Sequence, residues 1–298
     1  MLWCNRMLRR EAINRSMTYS QIENSIGKRY FEFFGRKLDW ENPKTYTEKI
    51  NVSKVYNPTP LKTRLADKIL VRDWIREKIG EEYLIPLIGV YDSFDEIDFS
   101  KLPEQFVMKC NHDSGSYTIC TDKSKLNMKF LKLKYDKHLK RNFAYMGFEM
   151  HYREITPKII IEKYMGENIN DYKFLCFNGK PYFCWVDVDR RTNHRRNFYD
   201  MNWQLQPFSF SYENYSGVIQ CPKNFDKMQK LALELSSDFD HTRADFYLVN
   251  GNIYFGEMTF TSENGFGVFS PDEWDYKLGE LWQFDNSNRE KVNRNSKP

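Results

Sequence analysis

The apolar residues of the first half of the chain recur mostly at helical spacing. Leu61, Leu65, Ile69, Ile75 and Ile79 follow this spacing, which predicts one helix over residues 60–79. Gly80 can end that helix, because glycine readily adopts the backbone conformation that follows a last turn. The same kind of pattern predicts further helices over residues 1–40, 44–57, about 124–142, 223–238 and 271–284.

Continuous or alternating apolar runs predict strands between these helices. Single strands are predicted over residues 83–91, 105–110, 117–121 and 158–164. Asn-Gly pairs between alternating runs predict β-hairpins over residues 171–188 and 242–260. The order is helices, then mixed elements, then an antiparallel sheet with helices against it. This order predicts an α+β fold with two subdomains and a cleft.

The composition indicates how the chain behaves in solution. The 298 residues are 41% hydrophobic and 29% charged, which is typical of a soluble globular protein. No apolar run approaches the length of a membrane span, and arginines interrupt the first residues, so we expect no signal peptide and a cytoplasmic location. Without any CxxC pair, the cysteines are interpreted as reduced core residues: Cys4, Cys110, Cys120, Cys176, Cys184 and Cys221.

The net charge of +4 is unevenly distributed. The first 40 residues hold eight Lys or Arg against four Asp or Glu. A second basic stretch, residues 123–141, indicates either a solvated helix face or a surface that attracts an anionic polymer, nucleotide or membrane. Neither stretch has the motif of a nucleic-acid module, so we expect no nucleic acid partner. The polar residues 285–298 predict a disordered tail.

The segment QFVMKCNHDSGSY, residues 105–117, is the first candidate for chemistry. Its apolar run carries Lys109, and Ser114, Gly115 and Ser116 follow in a small polar loop. Such a loop can hold phosphate through backbone N–H groups, or it can be an ordinary connection between two strands. The residues alone leave both interpretations open.

The second candidate is the hairpin RADFYLVNGNIYFGEMTF, residues 243–260. Arg243 and Asp245 share one strand face, and Glu257 lies on the partner strand. A regular two-residue turn would place Glu257 on the opposite face from Asp245, because a one-residue shift in register reverses every side chain. A magnesium site built from both carboxylates therefore predicts either a three-residue loop or a bulge. The alternative is a surface hairpin with a cross-strand charge cluster.

The order of these motifs resembles the ATP-grasp fold: two lysines, a glycine-containing loop, an acidic edge strand and an R-x-D…E hairpin. The segments ENPKTYTEKIN, LADKILVRDWI, VMKCNHDSGS, DYKFLCFNGKP, NHRRNFYDMNW and EWDYKLGEL, with the hairpin above, resemble the TupA-like branch of ATP-grasp proteins. That branch is named for teichuronopeptide biosynthesis and is often described as glycosyltransferase-like proteins of polysaccharide clusters. The resemblance covers about residues 35–283.

The resemblance implies an α+β fold in which two α+β subdomains clasp ATP in a cleft, with a helical N-terminal extension. On this basis the chain divides into a basic extension, a helical or α/β part, a small subdomain with the phosphate loop, a large subdomain with the metal hairpin and a tail. The predicted bounds of these parts are residues 1–40, 41–104, 105–165, 166–284 and 285–298.

The resemblance also implies roles for individual residues. Arg243 and Lys109 would be catalytic. Arg243 would stabilise an acyl-phosphate and the tetrahedral intermediate, and Lys109 would contact the α/β-phosphates together with Lys68. Asp245 and Glu257 would hold Mg²⁺. Adenine would meet the main chain of Lys163 and Met165, and Glu167 or Asp171 would bind ribose. The full predicted ATP-binding set is Lys68, Lys109, Ser114, Gly115, Ser116, Glu162, Lys163, Tyr164, Met165, Asp171 and Lys173.

One departure from the family pattern concerns the metal. Thr259 stands where many ATP-grasp enzymes have asparagine, so the number of metal ions is left open. Glu263 or Asn264 would either substitute as a ligand or cap a turn.

A basic cluster after the first hairpin is the candidate acceptor site. It would bind a uronic-acid carboxylate or the diphosphate of a glycan precursor, or it is a solvated basic loop. Its predicted substrate-binding residues are Arg190, Arg191, His194 and Arg195, with Arg196 beside them.

The predicted function is an ATP-dependent carboxylate–amine ligase that forms an amide through an acyl-phosphate. It would attach an amino acid or amine to a uronic-acid-type carboxylate in cell-surface polysaccharide biosynthesis, so the predicted partners are a carboxylate-bearing sugar or glycan precursor and an amine. The basic N-terminus would allow peripheral contact with a membrane-bound glycan assembly. The alternatives are a phosphotransferase on the same fold, a glycosyltransferase of a polysaccharide cluster and a non-catalytic binding protein.

Overall fold

The computed structural model describes residues 2–167, 169–189 and 192–298, and side chains from residue 9 onward within these ranges. The chain forms two compact units. The first unit consists of Met1–Arg15 and Thr59–Glu167, and the second of Ser16–Pro58 and Asn168–Pro298. The division after Glu167 lies close to the predicted boundary at 165/166, but the helical residues 16–58 belong to the second unit.

Five helices come first among the described elements, and groups of strands and helices follow them. The helices are α1 (Leu2–Ser16), α2 (Tyr19–Phe34), α3 (Tyr46–Tyr56), α4 (Pro60–Ala66), α5 (Val71–Lys78), α6 (Met128–Leu139), α7 (Ala144–Gly147), α8 (Phe225–Ser236), α9 (Glu273–Leu281) and α10 (Ser287–Lys291). The strands are β1 (Leu87–Tyr91), β2 (Phe106–Cys110), β3 (Thr118–Cys120), β4 (Ile159–Lys163), β5 (Asn170–Phe177), β6 (Lys180–Val188), β7 (Arg195–Asp200), β8 (Ser209–Phe210), β9 (His241–Val249), β10 (Asn252–Thr259) and β11 (Phe269–Ser270).

The first unit contains an antiparallel sheet in the order β1-β4-β2-β3. One face of β2 is apolar and buried, since Phe106, Met108 and Cys110 are each 0% exposed. Lys109 points to the opposite face because side chains alternate along a strand. The pairing of Val107 with Glu162 puts Glu162 of β4 on the same face as Lys109.

The helix predicted over residues 60–79 is two helices. Asp67 ends α4, and its Oδ1 accepts from the N–H of Ile69 at 2.8 Å and from Asn111 Nδ2 at 3.0 Å. This side chain competes with the helical hydrogen-bond ladder, as aspartate does near turns. The prediction of one continuous helix is therefore wrong, and Lys68 lies in the turn between α4 and α5.

The second unit is built on a five-stranded antiparallel sheet in the order β10-β9-β5-β6-β7. The two predicted hairpins are confirmed, and each closes through an Asn-Gly turn with positive φ at both residues. Helix α8 packs on one face, where Phe225 stacks against Phe174 at 5.7 Å between ring centroids. The residues at alternate positions of β5, β6 and β9 form the other face, which carries the charged side chains described below.

The C-terminal tail is ordered, which contradicts its predicted disorder. Helix α10 carries Arg289, which is 8% exposed and donates from Nε to Glu23 Oε1 at 2.7 Å. The carbonyls of Arg294 and Ser296 accept from the N–H groups of Ser20 and Tyr19 at 2.8 and 2.9 Å. The polar tail is held because its hydrogen bonds satisfy the free N–H groups at the start of α2.

Four cysteines are buried and free, as predicted: Cys110, Cys120, Cys176 and Cys184. Cys221 is free but exposed, and the side chain of Cys4 lies outside the described residues. Among the helices that the structure describes, none combines the length and the apolar character needed to cross a membrane.

Candidate functional site

In the first unit, Lys109 and Glu162 form a half-buried ion pair. Lys109 Nζ lies 2.6 Å from Glu162 Oε2, and the lysine side chain is 21% exposed. Arg72 Nη1 lies 3.5 Å from the other carboxylate oxygen and its Nη2 donates to the Ile85 carbonyl at 2.8 Å. Burial lowers the pKa of Arg72, and Glu162 opposes that change. Glu162 therefore holds two cations on the open face of the first sheet.

Lys68 contacts the base of the serine- and glycine-containing loop. Its Nζ donates to the Asp113 carbonyl at 2.5 Å and to the Asn111 carbonyl at 3.4 Å. Its backbone N–H also donates to Asn111 O, at 3.1 Å. The structure thus brings Lys68 beside the residues that precede Ser114, although they are separated by more than forty positions in the sequence.

The loop over residues 111–117 has a fixed base and an exposed tip. At the base, Ser116 Oγ donates to Asp113 Oδ1 and accepts from the Cys110 N–H at 2.8 Å, while His138 Nδ1 contacts Asp113 Oδ2. Burial alone would raise the pKa of Asp113, but His138 and Ser116 outweigh it and the pKa is lowered. Ser114 and Gly115 are exposed, and Gly115 has φ +88, a conformation that favours glycine.

The predicted adenine hinge begins at the end of β4. The Lys163 N–H donates to the Pro86 carbonyl at 2.9 Å, so a ligand contact through the Lys163 main chain would use its carbonyl. Tyr164 and Met165 are half-buried, and Glu167 is exposed.

Burial lowers the pKa of the two histidines that are buried in the described part of this unit. His112 Nε2 lies 3.2 Å from the His138 carbonyl, and burial lowers the His112 pKa. Burial lowers the pKa of His151 to about 3, which keeps that imidazole neutral.

In the second unit, a bulge brings the two predicted metal ligands together. The turn at Asn250-Gly251 has two residues, and the register shifts between Phe255 and Glu257. The extra residue is Gly256, and Glu257 therefore pairs with Asp245. A Cβ at Gly256 would lie 3.1 Å from the Asp245 carbonyl, which explains the glycine. Two features were predicted as ways to place Asp245 and Glu257 on one face. The bulge is confirmed, and the three-residue loop is absent from this described hairpin.

Arg243 holds both carboxylates. Its Nε and Nη2 donate to the two oxygens of Asp245, each at 2.6 Å, and Nη2 also donates to Glu257 Oε1 at 2.8 Å. Asp245 is 1% exposed, whereas the side chain of Glu257 is 47% exposed. Thr259 Oγ1 donates to the same Glu257 oxygen at 3.0 Å. One carboxylate is therefore fixed in the interior and the other is open to solvent.

Lys173 extends this cluster to a third strand. It pairs with Asp245 in the register of β5 and β9, and its Nζ lies 2.9 Å from Asp245 Oδ2 and in contact with Asp171 Oδ2. Asp171 is 1% exposed, so the structure binds it to Lys173 rather than presenting it to a ribose hydroxyl. Burial raises the pKa of Asp245, and Arg243 and Lys173 oppose that rise.

The donor chemistry of the cluster fits a magnesium ion. Asp171, Asp245 and Glu257 carry three negative charges against two on Lys173 and Arg243, which leaves one negative charge in excess. Mg²⁺ is commonly held by one or two carboxylates, with water and substrate phosphates completing its coordination. Within the described residues, no group of three or more His, Cys, Asp or Glu side chains is arranged to hold a metal, so Asp245 and Glu257 would supply two ligands only.

A second charged cluster lies on the same sheet face and was missed as a unit by the sequence analysis. Asp187 of β6 pairs in register with Asp171 of β5 and with Arg196 of β7. Arg196 Nε donates to Asp187 Oδ1 at 2.6 Å, and its Nη1 donates to Glu263 Oε1 at 3.2 Å. Burial would raise the Asp187 pKa, but Arg196 outweighs it and lowers the pKa to about 2. In the sequence, Asp187 stands in the D-V-D at 187–189, which gives no indication that it pairs with Arg196.

Trp185 lies between the two clusters. The guanidinium carbon of Arg196 is 4.6 Å and that of Arg243 is 4.8 Å from its ring centroid. Both are within the distance at which a cation is attracted to an aromatic face. The indole Nε1 is buried without a hydrogen-bond partner in the described part of the chain. The tryptophan therefore orients both arginines through its faces.

The predicted acceptor cluster is only partly assembled. His194 Nε2 lies 3.0 Å from Asp187 Oδ1, and its ring packs against Tyr212 at 3.7 Å between centroids. Arg195 contacts Glu213 at the surface. Arg190 and Arg191 lie outside the described residues.

The loop after Thr259 is held in an unusual conformation. Glu263, Asn264 and Gly265 have φ values of 49, 53 and 74. Lys54, which is 2% exposed, donates to the Asn264 carbonyl at 2.9 Å and to Asn264 Oδ1 at 2.8 Å. Asn51 donates to the Gly265 carbonyl at 2.8 Å. Because residues rarely hold such φ values unless their surroundings impose them, these contacts fix the Glu263 carboxylate beside Arg196.

Two α+β units, one with a lysine-flanked loop and one with an R-x-D…E cluster, define an ATP-grasp protein. The model of the TupA-like ATPgrasp family matches residues 48–283, so the chain belongs to the TupA-like ATP-grasp family. This match confirms the predicted family, the predicted α+β ATP-grasp fold and the predicted class of ATP-grasp ligase.

Solved structures with distant similarity include a D-alanine–D-alanine ligase from Bacillus anthracis, at 16% identity and a TM-score of 0.44, with 76% of this chain and 69% of that chain covered. The same enzyme in complex with ATP gives 14% identity and a TM-score of 0.45, with 84% and 76% covered. A biotin carboxylase from Campylobacter jejuni gives 12% identity and a TM-score of 0.45, with 74% and 46% covered. The comparison with curated proteins gave no match. Since these TM-scores are below 0.5, the family match alone carries the assignment.

Proposed function

We propose that the protein is an ATP-dependent carboxylate–amine ligase that forms an amide through an acyl-phosphate. We further propose that the carboxylate is of the uronic-acid type, on a glycan or its precursor, and that the amine belongs to an amino acid or similar molecule. The observation that carries the ligase proposal is the position of Arg243. Its guanidinium donates hydrogen bonds to both Asp245 and Glu257 across the bulged hairpin.

The nucleotide would be bound by the residues of the first unit. Lys109 is partly exposed and would exchange its contact with Glu162 for phosphate oxygens. Ser114 and Gly115, at the exposed tip of the loop, would offer backbone N–H groups to the same phosphates. Lys68 would act at the base of that loop, through the carbonyls it already binds.

Asp245 and Glu257 would hold Mg²⁺, which in such sites neutralises phosphate charge. Metal binding needs Arg243 to release Glu257, because one nitrogen of Arg243 now contacts both carboxylates. Glu257 is the more exposed ligand, so it is the one that can move. Once released, Arg243 would remain bidentate on Asp245 and present its free edge to the negative charge that develops on the substrate carboxyl.

The acceptor side would involve the cluster around Asp187. Arg195 and His194 are the described members of the predicted carboxylate-binding set, and Arg190 and Arg191 stay predictions. Glu263, with a side chain 34% exposed, would offer a carboxylate to an incoming amine. The polysaccharide context rests on the resemblance to the TupA-like branch.

The decisive assay measures ADP release by the full chain with ATP, Mg²⁺, a uronic acid and a panel of amino acids. We expect ADP release to need both the uronic acid and an amino acid. It should fall at least a hundredfold in Asp245→Asn, with Lys180→Met as the surface control. ADP release without amine, with a stable phosphorylated sugar, would identify a phosphotransferase instead. Stabilisation by UDP-sugars and not by ATP would identify a glycosyltransferase.

Nucleotide binding is tested separately by thermal denaturation with ATP or ADP, with and without Mg²⁺. At about 100 times the Kd, a bound nucleotide stabilises the native state by about 2.7 kcal/mol. We expect this shift in wild type and a much smaller one in Lys109→Ala. Lys101→Ala is the control, because Lys101 is an 82% exposed lysine of the same unit. Equal shifts in both variants would contradict the role of Lys109.

A further inference from the structure

Helix α6 has an outward face that none of the described residues of the first unit covers. Its buried residues are Leu131 and Tyr135, which are 4% and 0% exposed. On the opposite side, Phe130 is 62% and Leu133 is 69% exposed. Since residues three and four positions apart share a helix face, Lys129, Lys137 and Lys140 lie on the same side as this pair. These five residues, Lys129, Phe130, Leu133, Lys137 and Lys140, are called the α6 outer face.

The inner side of the helix accounts for its stability without this face. Tyr135 OH donates to the Met108 carbonyl at 2.7 Å, which fixes α6 to β2. Asn127 caps the helix by accepting from the Phe130 N–H at 3.0 Å. Phe130 and Leu133 therefore contribute little to folding, and their exposure calls for another explanation.

The charge around this face is strongly positive. Residues 123–141 contain eight Lys or Arg and one Asp, a net charge of +7, while the whole chain carries +4. The single acid, Asp136, lies to one side and contacts Lys132 at 3.3 Å. Lys132 and Lys134 are occupied by Asp95 and by the Tyr117 carbonyl. In the part of the chain that the structure describes, Lys129 and Lys140 make no ion pair.

The residue types favour one kind of partner. Seven of the eight cations are lysines, which act as mobile point charges, whereas specific phosphate recognition usually employs the fixed fork of arginine. A soluble polyanion would use the lysines but would leave Phe130 and Leu133 in water. An anionic bilayer accommodates both the lysines and the apolar pair, because the apolar side chains enter the headgroup boundary while the lysines reach lipid phosphates.

We propose that the α6 outer face docks the protein on an anionic membrane surface. Two apolar side chains anchor the helix parallel to the bilayer, and Lys129, Lys137 and Lys140 supply the attraction to acidic headgroups. This site differs from the predicted contact through the basic N-terminus. It is independent of the ligase proposal, since none of its residues is assigned to ATP, metal or acceptor.

The test is co-sedimentation of the full chain with vesicles of phosphatidylcholine alone or with about 30% phosphatidylglycerol. We expect binding to the acidic vesicles to be at least tenfold tighter and to weaken as salt is raised. Phe130→Ser with Leu133→Ser should lower it at least tenfold, and changing the three lysines to glutamine should do the same. Substitutions at such exposed positions seldom alter folding, and a thermal melt verifies this.

Matched controls come from the second unit. Phe31 is 53% exposed and the side chain of Lys28 is 80% exposed, so Phe31→Ser with Lys28→Gln removes the same kinds of surface group. Binding of this control should stay within twofold of wild type. As an independent signal, the fluorescence of Phe130→Trp should shift to shorter wavelength with acidic vesicles, relative to wild type.

Three results would overturn the proposal. The first is no binding to acidic vesicles at physiological salt. The second is equal loss of binding in the control and in the α6 variants. The third is tight binding to a soluble polyanion such as RNA that survives Phe130→Ser with Leu133→Ser while vesicles are not bound, which would make the face an electrostatic site for a polymer.

Discussion

Removal of Lys173 tests the buried charge cluster most directly. Lys173 is 7% exposed and lies between two carboxylates that are each 1% exposed, Asp171 and Asp245. The substitution Lys173→Met keeps the volume and the packing but removes the positive charge. Breaking a buried pair by removing one partner costs about 3–5 kcal/mol, since the other charge is left in a low-dielectric site. Because Arg243 still neutralises Asp245, we expect the lower end, about 3 kcal/mol at pH 8.

The stability lost in Lys173→Met should depend on pH, and the direction of this dependence follows from the pKa of Asp245. Burial already raises the pKa of Asp245 with Lys173 present, so without this cation the pKa of Asp245 rises further. A carboxyl whose pKa is higher in the folded than in the unfolded state destabilises the fold as pH rises through that folded value. The deficit of Lys173→Met should therefore be smallest near pH 5 and grow toward pH 8.

The assay is urea denaturation followed by tryptophan fluorescence at both pH values, since Trp185 reports on the same sheet face. Lys180→Met, an exposed lysine on the neighbouring strand, is the control and should lose less than about 0.5 kcal/mol. A deficit below about 1 kcal/mol at pH 8, or one that does not change with pH, would refute the view that Lys173 neutralises buried carboxylates.

Three further outcomes are expected. Asp187→Asn should cost about 2–3 kcal/mol at pH 7, because the Arg196 pair stabilises the fold only while Asp187 is ionised. This difference should be clearly smaller at pH 3, since it is lost as pH falls toward the folded pKa of about 2; urea midpoints at pH 7 and 3 measure it. Gly115→Ala should weaken nucleotide binding about tenfold in thermal titrations, since φ there is +88, whereas Gly251→Ala, with φ +78 in a hairpin turn of the second unit, should not. Thr259→Asn should lower the Mg²⁺ concentration for half-maximal ADP release several-fold, because an amide oxygen is a better magnesium ligand.

The hairpins were predictable because neighbouring residues in the sequence determine them. Asn-Gly between alternating runs determines the turn, and the chemistry of Asp245 and Glu257 then requires a register shift. The sequence predicts that a loop or a bulge produces this shift, but it does not distinguish between the two. The choice depends on Gly256, whose missing Cβ lets the bulged strand approach the Asp245 carbonyl. That contact is visible only once the strands are paired.

The remaining differences arise from contacts between distant residues. The break at Lys68 depends on Asp67 binding Asn111, and the ordered tail depends on Arg289 binding Glu23. Helical periodicity and polar composition describe each segment alone, so they predicted a continuous helix and a disordered end. Likewise, the basic residues near 195 suggested a carboxylate site, whereas Arg196 is largely committed to Asp187 across the strand pair.

The second unit concentrates its buried charges on one face of one sheet, and stability does not explain this. Three carboxylates there, Asp171, Asp187 and Asp245, are nearly inaccessible to water, with Lys173 and Arg243 between them. Buried ion pairs are often no more stabilising than apolar residues of the same volume, because desolvation offsets their attraction. The opposite face of the same sheet reaches 0% exposure with phenylalanine and alanine, so an apolar solution was available to this fold. We infer that the charged face is kept for binding and chemistry rather than for stability, although removal of one partner from any of its ion pairs also weakens the fold.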